Sequence, residues 1–262
     1  MKRFFGFIAA LTVVAVLSGC EKKEEIVPME DDSFNKIKSA KELVVGLGGN
    51  FPPMGFTDSD SNVVGFDIDL AAEVCARLGL KLKTRRISWV SMGEELNSRN
   101  VDCIWHGMSI NRTRASSMSL SDPYLVNRMV FVVKEKSLES LDSLKDKKLG
   151  VQEGSTASLL LESSEVGKSA KAISSYKEIG AVIAALESDS VDAVFMDEVV
   201  AKYWNVANHT DYTILKEGLF DEFYAVGFRK KDMALRDSVN AALASMKRDG
   251  KFVELTTKWF GK

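Results

Sequence analysis

A helix–turn–strand unit that occurs twice restricts a fold more than any other feature of this chain. LNSRNVDCIW, from Leu96 to Trp105, is echoed by LESDSVDAVF, from Leu186 to Phe195, at a constant offset of 90 residues. Each copy ends a helical pattern, turns through polar residues and starts a strand at Val-Asp. The first copy runs on into Gly107-Met108-Ser109, the second into Met196-Asp197-Glu198. Two similar α/β lobes are the economical account. In open parallel sheets ligands bind beyond the carboxyl ends of strands, so two such ends facing each other make a cleft.

The flanking pattern agrees. KELVVGL reads as a buried strand. GFDIDLAAEVCARLGL carries Leu70, Ala71, Val74, Cys75 and Leu78 on one helical face, with Asp67 and Asp69 near its positive end. KLKTRRISW alternates as a strand, GEELNSRN is helical, and VDCIWHGM is a strand running into a glycine loop. Alternating strands and helices place the chain in the α/β class. Its 262 residues are enough for one or two domains with a real core.

The N-terminus stands apart from this pattern. MKR followed by FFGFIAALTVVAVL is a positive segment and a short apolar run, the pattern of a signal peptide. It ends in LSGC, Leu17 to Cys20, which resembles the bacterial lipobox. That resemblance implies cleavage after residue 19 and acylation of Cys20, hence a lipid anchor without a membrane span. A plain secretory signal with a chance cysteine is the alternative. EKKEEIVPMEDDS then reads as a flexible tether, set at residues 20–35. A net charge of −2 gives no support to nucleic-acid binding, which needs a basic face. Cys75 and Cys103 form no C-x-x-C and sit in apolar runs, so buried free thiols are expected, with a disulfide as the alternative.

Catalytic signatures are missing. GLGGNF begins as G-x-G after a strand, but a dinucleotide fingerprint needs glycine where Phe51 stands. No P-loop, nucleophile elbow or H-E-x-x-H occurs, and two histidines, His106 and His209, are too few for an imidazole metal site. No metal, cofactor or enzymatic activity is expected. A binding constellation remains in GMSINRTRAS. Arg114 offers a planar fork of donors for a carboxylate, Ser109 a hydroxyl, and Gly107 a close backbone approach. Arg112, two residues away on a turn, is read as a surface arginine.

The chain resembles the bacterial extracellular solute-binding proteins of family 3, the polar amino-acid receptors of ABC importers. The resemblance rests on LVVGLGGNFPPMGF, NVVGFDIDLAAEVCARLGLKL, VDCIWHGMSINRTRASSMSLSDPY, SLDSLKDKKLGVQEGSTAS, VDAVFMDE and ALASMKRDGKFVELTTKWFG. It implies a periplasmic-binding-protein-like fold of type II: two α/β lobes, 36–126 plus 223–262 and 127–222, joined by a two-crossing hinge. The crossings are expected near Tyr124–Arg128 and Leu219–Tyr224. It also implies that Gly107, Ser109 and Arg114 hold a ligand α-carboxylate together with Thr156, and that Asp197 receives the α-ammonium. Phe51 and Trp89 would cover the apolar stem, although either could be plain core, and Asp197 could be a helix cap. Met108, His106, Gln152 and Ser155 complete the candidate set.

Many relatives that bind basic or amide side chains carry an acidic residue where this chain has Gly48, so the expected ligand is a free amino acid that is not basic. The implied partner is an ABC permease, the implied state a monomer, and the implied place the cell envelope, lipid-anchored in the periplasm or on the outer face of the cytoplasmic membrane. One alternative is an exported cyclohexadienyl-type dehydratase on the same scaffold, with Glu153 as its acid or base. The other is an amino-acid sensor module.

Overall fold

The two copies of the sequence echo share even their backbone irregularities. This is seen in the computed structural model, which describes residues 31–217 and 220–261. In each copy one non-glycine residue turns left-handed after the helix: Arg99 at φ 59° and Asp189 at φ 56°, again 90 apart. Each Val-Asp aspartate then clamps its strand to a parallel neighbour. Asp102 accepts the Val44 N–H at 2.9 Å, and Asp192 accepts the Lys148 N–H at 2.7 Å. The Asp102 and Asp192 N–H groups return the bond to the same residues' carbonyls, both at 2.8 Å. A short side chain with two acceptor oxygens is what that reciprocal link requires.

The chain starts with helix α1 (Ser33–Ala40), strand β1 (Glu42–Leu47) and a hairpin of β2 (Phe56–Thr57) and β3 (Val63–Val64). Next come α2 (Phe66–Leu78), β4 (Lys81–Arg86), α3 (Met92–Asn97), β5 (Cys103–Ile104), α4 (Arg112–Ser117) and β6 (Met118–Leu120). A long strand, β7 (Leu125–Val133), opens the second half. It is followed by β8 (Lys148–Gln152), α5 (Thr156–Ser163), α6 (Glu165–Ser169), β9 (Ala172–Tyr176) and α7 (Ile179–Glu187). This half closes with β10 (Ala193–Asp197), α8 (Glu198–Ala207), β11 (Thr213–Ile214) and β12 (Phe220–Tyr224). The chain then returns through β13 (Gly227–Arg229), α9 (Met233–Asp249) and α10 (Lys251–Phe260).

Two mixed sheets result, and with their helices they form two lobes. The first has the order β4-β1-β5-β13-β6, the second β11-β7-β10-β8-β9, with β12 also paired to β7. Both follow the doubly wound logic in which parallel neighbours are linked by a helix. The apolar face of α2 (Phe66, Leu70, Ala71, Val74, Cys75) is buried as its period requires, and Gly79 ends the helix at φ 69°. Cys75 and Cys103 are both buried and unpaired, as free thiols. No described helix is long and apolar enough to cross a membrane.

Two boundaries differ from the sequence expectation. Order begins before residue 36: α1 starts at Ser33, and Asp31 accepts the Ser33 N–H at 3.0 Å and the Ala234 N–H at 2.5 Å, which ties the segment to α9. The crossings between sheets also shift. β7 and β12 pair antiparallel from Leu125↔Tyr224 to Met129↔Phe220, so those residues belong to the second sheet. The chain therefore crosses at residues 121–124 and 225–226, where Tyr124 N–H donates to Tyr224 O and Val226 N–H to Ser121 Oγ. Leu219, like the signal, lipidation and tether expectations on residues 1–30, lies outside the described residues.

Candidate functional site

The loops at the carboxyl ends of β1, β5, β8 and β10 converge on a cleft of about 400 Å³, part of it open to solvent. Gly48, Phe51, Trp89, His106, Gly107, Ser109, Arg114, Gln152, Ser155, Thr156 and Asp197 line it, with Gly49, Asn50 and Met129. The structure thus brings together ten of the eleven residues singled out in the sequence. Met108 is the exception. It is fully buried, and its methyl group lies 2.7 Å from where a Cβ on Gly227 would stand, so its side chain fills the first lobe's core. Alternation explains this: Gly107 and Ser109 face the cleft, so the residue between them faces inward.

Gly107 turns at φ 55°, and a Cβ there would meet Phe51 Cε1 at 2.7 Å, so both backbone and space demand glycine. Its N–H donates to Asp67 Oδ2 at 2.6 Å. Asp67 was read as a favourable charge in the first turn of α2, but it is wholly buried and fastens this loop. Burial pushes its carboxyl up to about 7, with the Gly107 N–H and the neighbouring Tyr124 hydroxyl and Trp105 indole pulling the other way.

Arg114 stands in α4, whose first turn is capped by Asn111 accepting the Arg114 N–H at 2.9 Å. The guanidinium is buried, and its carbon sits 5.4 Å from the centroid of the Trp89 ring. Nη1 donates to Ser109 O at 2.8 Å and to Thr156 Oγ1 at 3.4 Å. Among the described residues Nε and Nη2 have no protein acceptor, which leaves one edge of the fork for an anion. Burial draws Arg114 down to about 10, with Glu222 and Asp197 opposing. Arg112 is exposed, as read from the sequence.

Thr156 opens α5, and its hydroxyl also accepts from Asn111 Nδ2 at 3.1 Å, so both bonds to it cross from one lobe to the other. Asp197 occupies the N-cap position of α8, yet its side chain makes no cap hydrogen bond. Its Oδ1 accepts instead from Asn127 Nδ2 at 2.8 Å and from the Tyr224 hydroxyl. Burial raises this carboxyl, against the Tyr224 hydroxyl and Arg114. One buried cation and one buried anion thus line a single cleft without touching each other.

A model of the bacterial extracellular solute-binding proteins, family 3, matches residues 43–262. The chain belongs to this family. Among its relatives is the L-cystine-binding protein TcyJ of Escherichia coli K12, 26% identical over 257 residues that cover 97% of this chain and 94% of TcyJ. An ABC uptake transporter substrate-binding protein from Streptococcus pneumoniae, solved with bound histidine, has a TM-score of 0.83 at 32% identity, covering 89% of this chain and 97% of that one. The ancestral amino acid-binding protein AncCDT-1, described as a precursor of cyclohexadienyl dehydratase, has a TM-score of 0.81 at 27% identity, covering 87% of this chain and 99% of that one.

This family 3 protein spends its cleft histidine on its own backbone. His106 Nδ1 accepts the Gly48 N–H at 3.2 Å, so Nε2 carries the proton that it donates to Gly55 O at 2.9 Å. Burial brings its pKa down to about 4. The ring therefore braces the loop of Gly48 to Gly55 and presents only its face, beside Phe51 and Trp89 at centroid distances of 5.6 and 6.1 Å. A Cβ on Gly48 would stand 3.1 Å from Trp89 Cε3 and 3.3 Å from His106 Nδ1, so an acidic side chain at that position would crowd both rings.

Three residues around Asp197 escaped the sequence reading: Asn127 and Tyr224, which donate to it, and Glu222, which shares the Asn127 amide. Asn127 is a lone amide in the apolar run LVNRMVFVV, which is a usable signal for a buried polar role. Glu222 gives the opposite signal, because Phe220 and Phe223 around it are exposed while the glutamate is buried. Glu153, offered as a catalytic carboxyl, is exposed and does not line the cleft.

Proposed function

We propose that the protein is the amino-acid receptor of an ABC importer. Its cleft takes the α-carboxylate of a free amino acid on Arg114, Ser109, Gly107 and Thr156, and the α-ammonium on Asp197. The observation that carries this reading is the pairing of a buried guanidinium with an open donor edge and a buried carboxylate in one cleft. A zwitterion is the small ligand whose two charges satisfy both. Contacts from both lobes exist together only when the lobes are closed, so the ligand shifts the population toward closure, and the permease reads that closed form. The two bodies that move are then residues 33–120 with 227–261, and residues 125–217 with 220–224. The chain is exported on residues 1–19, tethered by lipid on Cys20 at the cell envelope, and works as a monomer without catalysis or cofactor.

A non-basic ligand fits the side-chain end of the cleft, where Gly48 supplies no carboxylate and His106 no free nitrogen. The exposed position of Glu153 speaks against the dehydratase alternative. A thermal-shift panel of the unliganded protein against the twenty common amino acids and L-cystine tests the assignment, since a ligand of the folded state raises stability by about 2.7 kcal/mol at a hundredfold excess over Kd. One amino acid or a few related ones should raise Tm by several degrees. A flat response across the panel refutes the reading.

A further inference from the structure

Behind the cleft-lining Ser109 and Asp197 lies more acid than a zwitterion needs. Glu222, on β12, is only 5% exposed, and its Oε2 accepts from Ser109 Oγ at 3.1 Å and from Asn127 Nδ2 at 3.3 Å. Its other oxygen, Oε1, is buried and has no partner among the described residues. The same Asn127 amide donates to Asp197 at 2.8 Å, so one NH2 group serves two carboxyls. Arg114 is the cation near the pair, and the Tyr224 hydroxyl, already spent on Asp197, is the remaining titratable group that faces them. With both carboxyls ionised, the cluster would bury one uncompensated negative charge.

From this arrangement we propose that Glu222 is a positioning residue of the ammonium site, which carries a proton in the empty protein and releases it when a ligand's ammonium group settles against Asp197. The inference rests on the amino-acid reading above. The unpartnered Oε1 has room for the proton, because Oε2 already accepts two donors. Burial and the neighbouring Asp197 both favour the protonated form, which raises this carboxyl to about 8. A bound amino acid puts its ammonium end next to the pair and its carboxylate farther off, on Arg114. Glu222 sits at the hinge, where Ile110 N–H donates to Phe223 O and Ala225 N–H to Met108 O, so closure around the ligand adds little further desolvation, and the nearer positive charge decides the direction. The proton passes to the buffer. Glu222 then becomes a second anion around the ammonium, acting through Asn127 and Ser109. Since binding releases a proton, affinity must rise with pH up to the titration of the empty protein.

The test uses the full mature chain and those amino acids of the panel of twenty plus L-cystine that raise its Tm. Calorimetric titration at pH 7 in phosphate and in Tris, which differ in ionisation enthalpy, counts the protons. We expect release of a substantial fraction of one proton per amino acid bound, an affinity that climbs by up to about tenfold per pH unit between pH 6 and 8, and loss of both in Glu222→Gln. Infrared difference spectra of the empty protein, wild type minus Glu222→Gln, should show a protonated carboxyl that disappears on binding. Buffer-independent heats in the wild type overturn the proposal, and that measurement stands even if the variant fails to fold. Equal proton release in a folded Glu222→Gln also overturns it. A panel that raises Tm nowhere refutes the amino-acid reading, and proton release falls with it.

Discussion

Replacing Arg114 with alanine separates the binding role of this residue from its structural one. The guanidinium keeps Nη1 on Ser109 O and Thr156 Oγ1, and offers its open edge to the ligand. Each charge-assisted hydrogen bond contributes about 1.5–3 kcal/mol, and truncating one partner of a desolvated ion pair costs about 2–5 kcal/mol. A loss of about 4 kcal/mol is therefore expected, roughly a thousandfold in Kd. The empty protein should barely notice. Burial already disfavours the charged guanidinium, as its lowered pKa records, so removing it relieves desolvation while freeing one carbonyl and one hydroxyl and withdrawing the cation beside Asp197 and Glu222, whose raised carboxyls take up protons instead. These effects oppose each other, and the net change in stability should stay within about 1 kcal/mol, a few degrees in Tm for a chain of this size. Calorimetry against the amino acid that most raises Tm reads the first quantity, and thermal unfolding without ligand reads the second. Arg112→Ala, at an exposed position of the same helix, should change neither. A loss below about fivefold with Tm unchanged would refute the clamp, and a fall in Tm as large as the loss in affinity would make Arg114 a structural arginine.

Two further substitutions test what holds the cleft in shape. Gly107→Ala should cost about 1–2 kcal/mol for the left-handed backbone, with a further loss because its Cβ would stand 2.7 Å from Phe51 Cε1; denaturant midpoints measure it, and full stability would contradict the close approach. His106 predicts an acid response. Its folded pKa of about 4 lies below the ordinary 6.5, so the unfolded chain binds the extra proton between those values and stability falls as pH drops through that window, by about 3 kcal/mol in total. In His106→Gln, whose amide can both accept and donate, that share of the acid loss should vanish from unfolding curves taken at pH 6.5 and 4. An unchanged pH profile would mean that the ring is not buried and neutral.

What the sequence disclosed follows from how local each cause is. The echo was legible because a helix end, a left-handed turn residue and an aspartate clamp all lie within ten residues, and the structure repeats them at Arg99 and Asp189, Asp102 and Asp192. Arg114 stood out because its glycine loop and strand precede it directly. Asp197 needed the echo to set it opposite Gly107. The surroundings of Asp197 stayed hidden, since Asn127, Tyr224 and Glu222 come from strands up to 97 residues apart that only β7–β12 pairing brings together. Glu222 was masked further by Phe223, because a phenylalanine next to a glutamate in a strand normally takes the inward face. The hinge lies a few residues from its expected place for a related reason: β6 and β7, like β12 and β13, follow each other closely in different sheets, with no change of pattern where the chain crosses.

The cleft divides its work unequally between its two ends. At the deep end a buried cation and a buried carboxylate, each braced by neighbouring polar groups, make interactions that salt barely screens. At the mouth the charged link between lobes is Arg86 with Glu178, at 3.2 Å and with both side chains about half exposed, a pair of the kind that contributes about 0–1 kcal/mol. Between them lie Gly48, the ring faces of Phe51 and Trp89, and a histidine whose nitrogens are occupied. On the proposed reading, affinity for the zwitterion comes from the deep end, and discrimination among side chains from the volume and shape left by Gly48. Placing an acidic side chain at that position would change two things together, since its carboxylate would invite a cation while its Cβ pushed against Trp89 and His106.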